Sequence, residues 1–314
     1  SHTVNFGPET FMIPQVPIPE GPVLLDGGMG QELVKRIGGE VGTLWSAEAL
    51  ICHPELVQEV HEEFIRAGSQ IITTNTYSLG RPRLEKADYG DRFEELNRMA
   101  ANVAIQARDN VGTGVLIAGA LPPYGESFRP DLVGPYTTIR LYYREQAKIL
   151  APYVDFFLCE TMSSTEEAFA AVAGASAFDK PIWVSWTLAD QGLPTLRSGE
   201  SIAEAHAMLK ELPVSAFLVN CCSPEQITLA MPELLALSDW PVGGLANGFR
   251  DIPNNWQSSD GLETLGKHEN LDEAIYASHV NDWLIAGARI VGGCCEIGPG
   301  YIARLRQMLD NDWL

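Results

Sequence analysis

Six cysteines stand in this chain, and four of them form two adjacent pairs, Cys221-Cys222 and Cys294-Cys295; the others are Cys52 and Cys159. Adjacent cysteines on an extended strand point to opposite faces and do not readily bridge each other, so this is not the spacing of a secreted disulfide framework. Thiolates gathered from two such pairs suit a metal: three sulfurs with an open fourth position is the pattern of a catalytic zinc site. Spacing leaves open whether Cys221 or Cys222 joins Cys294 and Cys295, and a vicinal pair can also serve thiol-disulfide redox chemistry. A lone cysteine such as Cys52 or Cys159 reads as a small buried hydrophobe.

Two acids and three aromatics accompany the thiols. Glu160 closes the apolar run Phe156 to Cys159, where burial of a carboxylate is costly without a cation beside it. It is therefore a candidate partner for an ammonium group. Asp26-Gly27-Gly28 has two readings, a tight strand-to-helix turn or a stretch of exposed backbone N–H groups that receives a ligand carboxylate. Trp45 and Tyr77 are either ordinary core or aromatic faces for an onium cation. Tyr124, at the end of the third apolar run, is a further candidate of that kind.

The elements that must position these residues repeat along the chain. Short apolar runs at 23–28, 70–77, 115–121, 155–161, 181–188, 216–222, 241–247 and 288–295 alternate with stretches of helical period. The segment from Pro54 to Gly68 carries apolar residues at helical spacing and ends on a glycine suited to a C-terminal cap. Ser163-Ser164 and Ser201 precede acids and predict helix starts. Runs apolar on both faces belong to a parallel sheet covered by helices. Eight strand-helix units closing on themselves predict a single (β/α)8 TIM barrel, spanning residues 23–314 behind an extended, proline-rich arm at 1–22. The competing doubly wound sheet lacks its glycine fingerprint after the first strand. A barrel puts its chemistry in the loops at the C-terminal strand ends, where Asp26, Tyr77, Tyr124, Glu160, Asn220 and the cysteine pairs all fall.

Composition narrows the partners. With 21 Lys+Arg against 41 Asp+Glu, the net charge is −20 in 314 residues, so no general positive field exists to hold nucleic acid or an anionic membrane. No stretch reaches the roughly 18 uncharged apolar residues of a membrane span. Residues 1–22 lack a basic segment followed by an apolar one, so no signal peptide is expected and the cytoplasm is the default location. No lysine lies in any of the eight apolar runs, which counts against a Schiff-base aldolase.

The residues resemble one family, the homocysteine S-methyltransferases, over about residues 22–310. The resemblance is carried by Leu25 to Gly30 (LDGGMG), Leu44 to Ala47 (LWSA), Thr73 to Thr76 (TTNT), Cys159-Glu160-Thr161, Val219-Asn220-Cys221 and Val291 to Cys295 (VGGCC). It implies that Cys221, Cys294 and Cys295 are the zinc ligands, with Cys222 a neighbour. It implies that the sulfur of homocysteine takes the open zinc position, that its amino group meets Glu160 and Asp26, and that its carboxylate meets the backbone of Gly27 and Gly28. The partner substrate is then an onium methyl donor near Trp45, Tyr77 and Tyr124. The LWSA segment is similar to enzymes using S-methylmethionine, whereas the loops at 119–131 and 244–249 depart from theirs. Betaine, S-adenosylmethionine or another dimethylsulfonium compound are the alternatives, and a non-catalytic zinc or thiol-redox barrel is the rival outside the family's chemistry.

Overall fold

The structure, a computed structural model, describes residues 12–38, 46–112, 114–249, 251–257 and 265–311. Eight parallel strands form its centre: β1 (Val23–Leu24), β2 (Ile71–Thr73), β3 (Leu116–Leu121), β4 (Phe156–Met162), β5 (Ile182–Trp186), β6 (Ala216–Asn220), β7 (Val242–Ala246) and β8 (Ile290–Gly293). Each pairs with its neighbour in sequence, β1 pairs with β8, and a bridge between Leu25 and Ile71 joins the first strand to the second. This is the predicted TIM barrel. Each apolar run holds its strand, except that β4 runs one residue past 155–161 to Met162, and β1 and β2 are much shorter than the runs at 23–28 and 70–77. The remainder of both runs leaves the sheet as the loops that carry Asp26 and Tyr77.

Helices α1 (Met29–Ile37), α2 (Ser46–Cys52), α3 (Pro54–Ala67), α4 (Arg81–Lys86), α5 (Phe93–Val111), α6 (Tyr136–Leu150), α7 (Thr165–Ala175), α8 (Ile202–Leu209), α9 (Pro224–Leu237), α10 (Glu273–Ala286) and α11 (Pro299–Asp310) surround the sheet. Their ends follow local chemistry. Gly68 caps α3 in the left-handed conformation, at φ 117°, and its N–H returns to the carbonyls of Phe64 and Ile65. Ser164 accepts the Glu167 N–H at the start of α7, and Ser201 with Glu204 forms a reciprocal capping box at α8.

Strand alternation sorts the core. Phe156 and Leu158 point into the barrel with Leu25, Ile71, Trp183 and Leu218, while Phe157 and Cys159 face the helices. Residues 12–22 carry no helix or strand, and Val16 from this segment packs with the barrel interior beside Val23 and Ile290. The same alternation continued to the C-terminal strand ends turns Glu160 and Asn220 inward, above the apolar layers. Among the described residues no helix is long and apolar enough to cross a membrane.

Candidate active site

The pocket at the C-terminal end of the barrel is lined by Asp26, Gly27, Gly28, Thr73, Asn75, Tyr77, Phe128, Glu160, Asn220, Cys221, Phe249, Cys294 and Cys295, with Met29, Gly30 and Gln31 of α1 at one side. Its thiols form a cluster. Cys221 Sγ lies 2.9 Å from Cys294 Sγ and 3.7 Å from Cys295 Sγ, and all three sulfurs fall within 4.8 Å of one another. Cys222 is absent from the cluster; it is buried among the apolar side chains behind the strand, and burial pushes its thiol up to about 12. The choice that spacing left open thus falls on Cys221.

A tetrahedral thiolate site with metal-sulfur bonds of about 2.3 Å has sulfur-sulfur edges of about 3.8 Å. The Cys221–Cys295 separation already matches, and the Cys221–Cys294 pair must open slightly. These three cysteines could hold a metal ion. Hydrogen bonding with Cys221 and Cys295 holds the Cys294 thiol well below the ordinary range, while burial and the adjacent Cys294 push Cys221 up.

Asn220, part of a motif but not singled out for a role, ties the cluster to the neighbouring strand. Its Oδ1 accepts the Thr161 N–H at 2.9 Å and the Ser185 hydroxyl at 2.7 Å, and its Nδ2 donates to Thr161 Oγ1 at 2.9 Å and toward Cys294 Sγ at 3.8 Å. Thr161 has a φ of 62°, at an irregularity in the β4–β5 register between Cys159 and Met162. Asn220 therefore fixes the bent chain immediately after Glu160.

Glu160 and Asp26 are the acids of the pocket. Burial raises Glu160 well above the usual carboxylate range, with Cys294 and Asp26 adding repulsion, and no hydrogen bond or ion pair to it is found among the described residues. Asp26 accepts the Thr73 N–H at 2.8 Å and the Thr73 hydroxyl at 3.0 Å, yet burial still raises it to about 7. Two desolvated carboxylates close enough to repel each other favour a cation between them.

The Asp26-Gly27-Gly28 segment combines a turn with close packing. A Cβ on Gly27 would run into the carbonyl oxygen of Ile297, and one on Gly28 would sit 2.7 Å from the carbonyl oxygen of Cys294. The Gly28 N–H donates to Ile297 O at 2.9 Å. This corrects the expectation that Gly28 presents a free N–H: the loop after β8 crosses here and takes that donor. Directly after Gly28 the first turn of α1, Met29 to Gln31, lines the pocket, and no side chain among the described residues caps this helix start.

The aromatic candidates separate. Tyr77 lines the pocket, its hydroxyl 2.8 Å from Ser127 Oγ and its ring 5.3 Å below the Arg83 guanidinium. Tyr124 does not: its buried ring packs against Gly80, Tyr142 and Tyr143, and its hydroxyl donates to Gln146 Oε1 and Tyr142 O. The expectation of a donor-side role is corrected, because the third-strand loop turns this side chain down between helices. Trp45 lies outside the described residues. In their place, Phe128 and Phe249 reach the pocket and form an apolar roof with Trp256 and Ile252 against Cys221. Sequence reading missed both because loops bring them in, and only the departure of the segments 119–131 and 244–249, which contain them, hinted at it.

Fold and site together define a barrel whose mouth gathers three thiols that could hold a metal ion. The sequence profile of the family described as Homocysteine S-methyltransferase matches residues 23–309, and the chain belongs to this family. It is 29% identical to the Homocysteine S-methyltransferase of Escherichia coli (strain K12), covering 90% of this chain and 94% of that protein. It is 27% identical to the Selenocysteine Se-methyltransferase of Brassica oleracea var. italica, over 98% of this chain and 95% of the relative. The crystal structure of the metallated form of the homocysteine methyltransferase MmuM from Escherichia coli superposes with a TM-score of 0.78 at 26% identity, covering 92% of this chain and 96% of the other. Family membership makes the chain a methyltransferase whose substrates are homocysteine and a methyl donor.

Proposed function

We propose that this chain is a zinc-dependent homocysteine S-methyltransferase that draws its methyl group from a sulfonium donor, S-methylmethionine first. The observation that carries the reading is the three-thiol cluster opening onto the same pocket as the desolvated Glu160, which has no hydrogen-bond or ion-pair partner among the described residues. A zinc ion held by Cys221, Cys294 and Cys295 would supply one chemistry, the deprotonation of an incoming aliphatic thiol whose ordinary pKa of about 8.5 leaves it mostly protonated at neutral pH. The donor set of three soft sulfurs suits zinc.

The chain's own residues do the rest. Glu160 and Asp26 hold the ammonium of homocysteine, each relieved of its burial penalty by the cation. Gly27 and Gly28 keep this wall free of side chains, and the N-terminus of α1, at Met29 to Gln31, receives the carboxylate where N–H groups and the helix dipole favour an anion. Tyr77, Phe128 and Phe249 surround the donor, the Tyr77 ring offering its face to the onium charge and the phenylalanines excluding water. Trp45 joins this donor wall on sequence grounds alone. In the reaction the thiolate sulfur gains a bond to the methyl carbon while the carbon-sulfonium bond breaks, so that its electron pair leaves on a neutral thioether. Nothing in that step needs a general base, and the protein's task is to align sulfur, methyl and leaving group. Thiol ligands that must stay reduced fit the cytoplasm.

A donor screen tests the reading. Methionine formed from homocysteine is measured with S-methylmethionine, betaine, S-adenosylmethionine and dimethylsulfoniopropionate. We expect S-methylmethionine to give the highest rate. Turnover with another donor alone would overturn the choice of donor, and no methionine from any of the four would overturn the methyltransferase reading.

A further inference from the structure

Of the three clustered cysteines, only Cys221 has a left-handed backbone, with φ at 55°. An L-residue without glycine's freedom persists there only when its surroundings impose the conformation. Those surroundings are a buried ion pair. Arg197 and Asp190 lie 3.2 Å apart with side chains 5% and 6% exposed. Arg197 Nη2 donates to the carbonyl oxygen of Cys221 at 3.1 Å, and its Nε donates to Thr187 Oγ1 at 3.0 Å. The Thr187 hydroxyl in turn donates to the same Cys221 carbonyl at 3.0 Å. Asp190 holds the adjoining chain, accepting the Ser223 N–H at 2.8 Å through Oδ1 and the Ile252 N–H at 2.9 Å through Oδ2.

Neither charged residue lines the pocket. A buried ion pair is also weak evidence of stability, because desolvation offsets most of the attraction. Its contacts converge instead on one peptide unit. The carbonyl of Cys221 receives two donors, and the backbone on its C-terminal side is anchored by the carboxylate of the same pair. The guanidinium also sits 4.8 Å over the ring of Phe128, which lines the pocket and clusters with Cys221.

We infer that Arg197, held by Asp190 and assisted by Thr187, is a positioning residue for Cys221: its grip on the Cys221 carbonyl keeps the backbone left-handed and the thiol turned toward Cys294 and Cys295, preorganising the site for a thiophilic divalent cation. The inference rests on the reading of Cys221 as a metal ligand. When the grip is lost, Cys221 relaxes toward an ordinary backbone, its side chain swings from the cluster, and the site must reorganise before a third sulfur binds.

The test compares Arg197→Lys, Thr187→Val and the control Leu305→Ala in the full chain. Lysine keeps a charge opposite Asp190 but lacks the planar fork that serves Thr187 and Cys221 together. Valine removes the hydroxyl that joins them. Leu305, buried in α11, weakens the fold without touching the network. Zinc affinity is measured by chelator competition, the thiolate-to-cobalt charge-transfer band is recorded on cobalt-loaded protein, and thermal unfolding is followed in the metal-free proteins. We expect Arg197→Lys and Thr187→Val to weaken zinc binding by roughly 10- to 100-fold and to change the cobalt band. Leu305→Ala lowers the unfolding temperature and leaves both metal readouts unchanged. Wild-type zinc affinity in Arg197→Lys and Thr187→Val would overturn the inference, and Thr187→Val alone decides it should Arg197→Lys not fold. A wild-type protein that binds neither metal would overturn the ligand reading itself, and this inference with it.

Discussion

Cys294 Sγ lies 2.9 Å from Cys221 Sγ although 73 positions separate them in the chain. Both residues hang from neighbouring carbonyls of one strand: the Cys221 N–H donates to Leu245 O at 3.0 Å and the Cys294 N–H to Ala246 O at 2.9 Å. Strand β7 therefore sets the distance between the two thiols, and closure of the barrel builds the cluster.

Replacing Cys294 with alanine leaves two sulfurs where three converge. Loss of an outer partner of a metal ligand costs roughly 10- to 100-fold in affinity or activity, so loss of the ligand itself is expected to exceed about 100-fold. Metal content by mass spectrometry of the native protein and methionine formation should fall together in Cys294→Ala. Full activity in this variant would separate the thiols from the chemistry.

Glu160→Gln removes the charge that meets the ammonium group. A hydrogen bond to a charged group contributes about 1.5–3 kcal/mol, which corresponds to a rise in the KM for homocysteine of roughly 10- to 150-fold. The KM for the methyl donor should stay close to wild type. Because Glu160 is a desolvated carboxylate without a partner among the described residues, the variant is also expected to unfold no earlier than wild type. An unchanged KM for homocysteine would contradict the amine role.

Gly28→Ala places a Cβ 2.7 Å from the carbonyl oxygen of Cys294, and Gly27→Ala drives one into the carbonyl of Ile297. Overpacking against side chains costs about 1–3 kcal/mol, and backbone yields less readily. Gly27→Ala should lose at least that much stability in chemical denaturation, whereas Gly28→Ala should weaken metal binding by displacing the Cys294–Cys295 loop. Wild-type stability in Gly27→Ala would contradict the packing described.

At Tyr77, face and hydroxyl can be tested apart. Tyr77→Phe loses the hydrogen bond with Ser127 but keeps the aromatic face, so the donor KM is expected to stay within about threefold of wild type. Tyr77→Leu removes the face, and a desolvated cation-π contact of about 1–2 kcal/mol corresponds to a donor KM raised roughly 5- to 30-fold. Equal effects of the two substitutions would argue against the onium contact.

Glu167 gives a pH dependence outside the site. It is buried at the start of α7, accepts the Ser163 N–H at 2.8 Å, and is raised by burial from 4.5 to about 7. A folded-state pKa above the unfolded one means that its favourable contribution is complete below about 4.5 and is lost as pH rises through about 7. The interval of 2.5 pH units, at about 1.4 kcal/mol each, gives an upper bound of about 3.5 kcal/mol. Glu167→Gln, which still accepts the Ser163 N–H, is expected to flatten stability between pH 4.5 and 7 and to unfold later than wild type at pH 8. Parallel stability-pH curves for the two proteins would contradict it.

Much of this was legible in residue order. Strand alternation placed Glu160 above Phe156 and Leu158, and the barrel rule gathered the ends of strands one, four, six and eight into one pocket. Long-range contacts were not legible. The Gly28 N–H is taken by Ile297, Tyr124 is drawn down by Gln146, and Phe128 and Phe249 arrive on loops whose course depends on packing. The Arg197–Asp190 grip on Cys221 spans the loops after two strands, and no local period encodes it. Asn220 stood in a sequence motif without a role of its own; only the folded chain reveals that it braces Thr161 and Cys294 at once.

The most direct test of the account is methionine formation from homocysteine and S-methylmethionine by one preparation measured as isolated, after removal of metal with a chelator, and after return of zinc. The account predicts turnover that disappears with the metal and recovers when about one zinc per chain is restored. Undiminished turnover in the metal-free protein would contradict it.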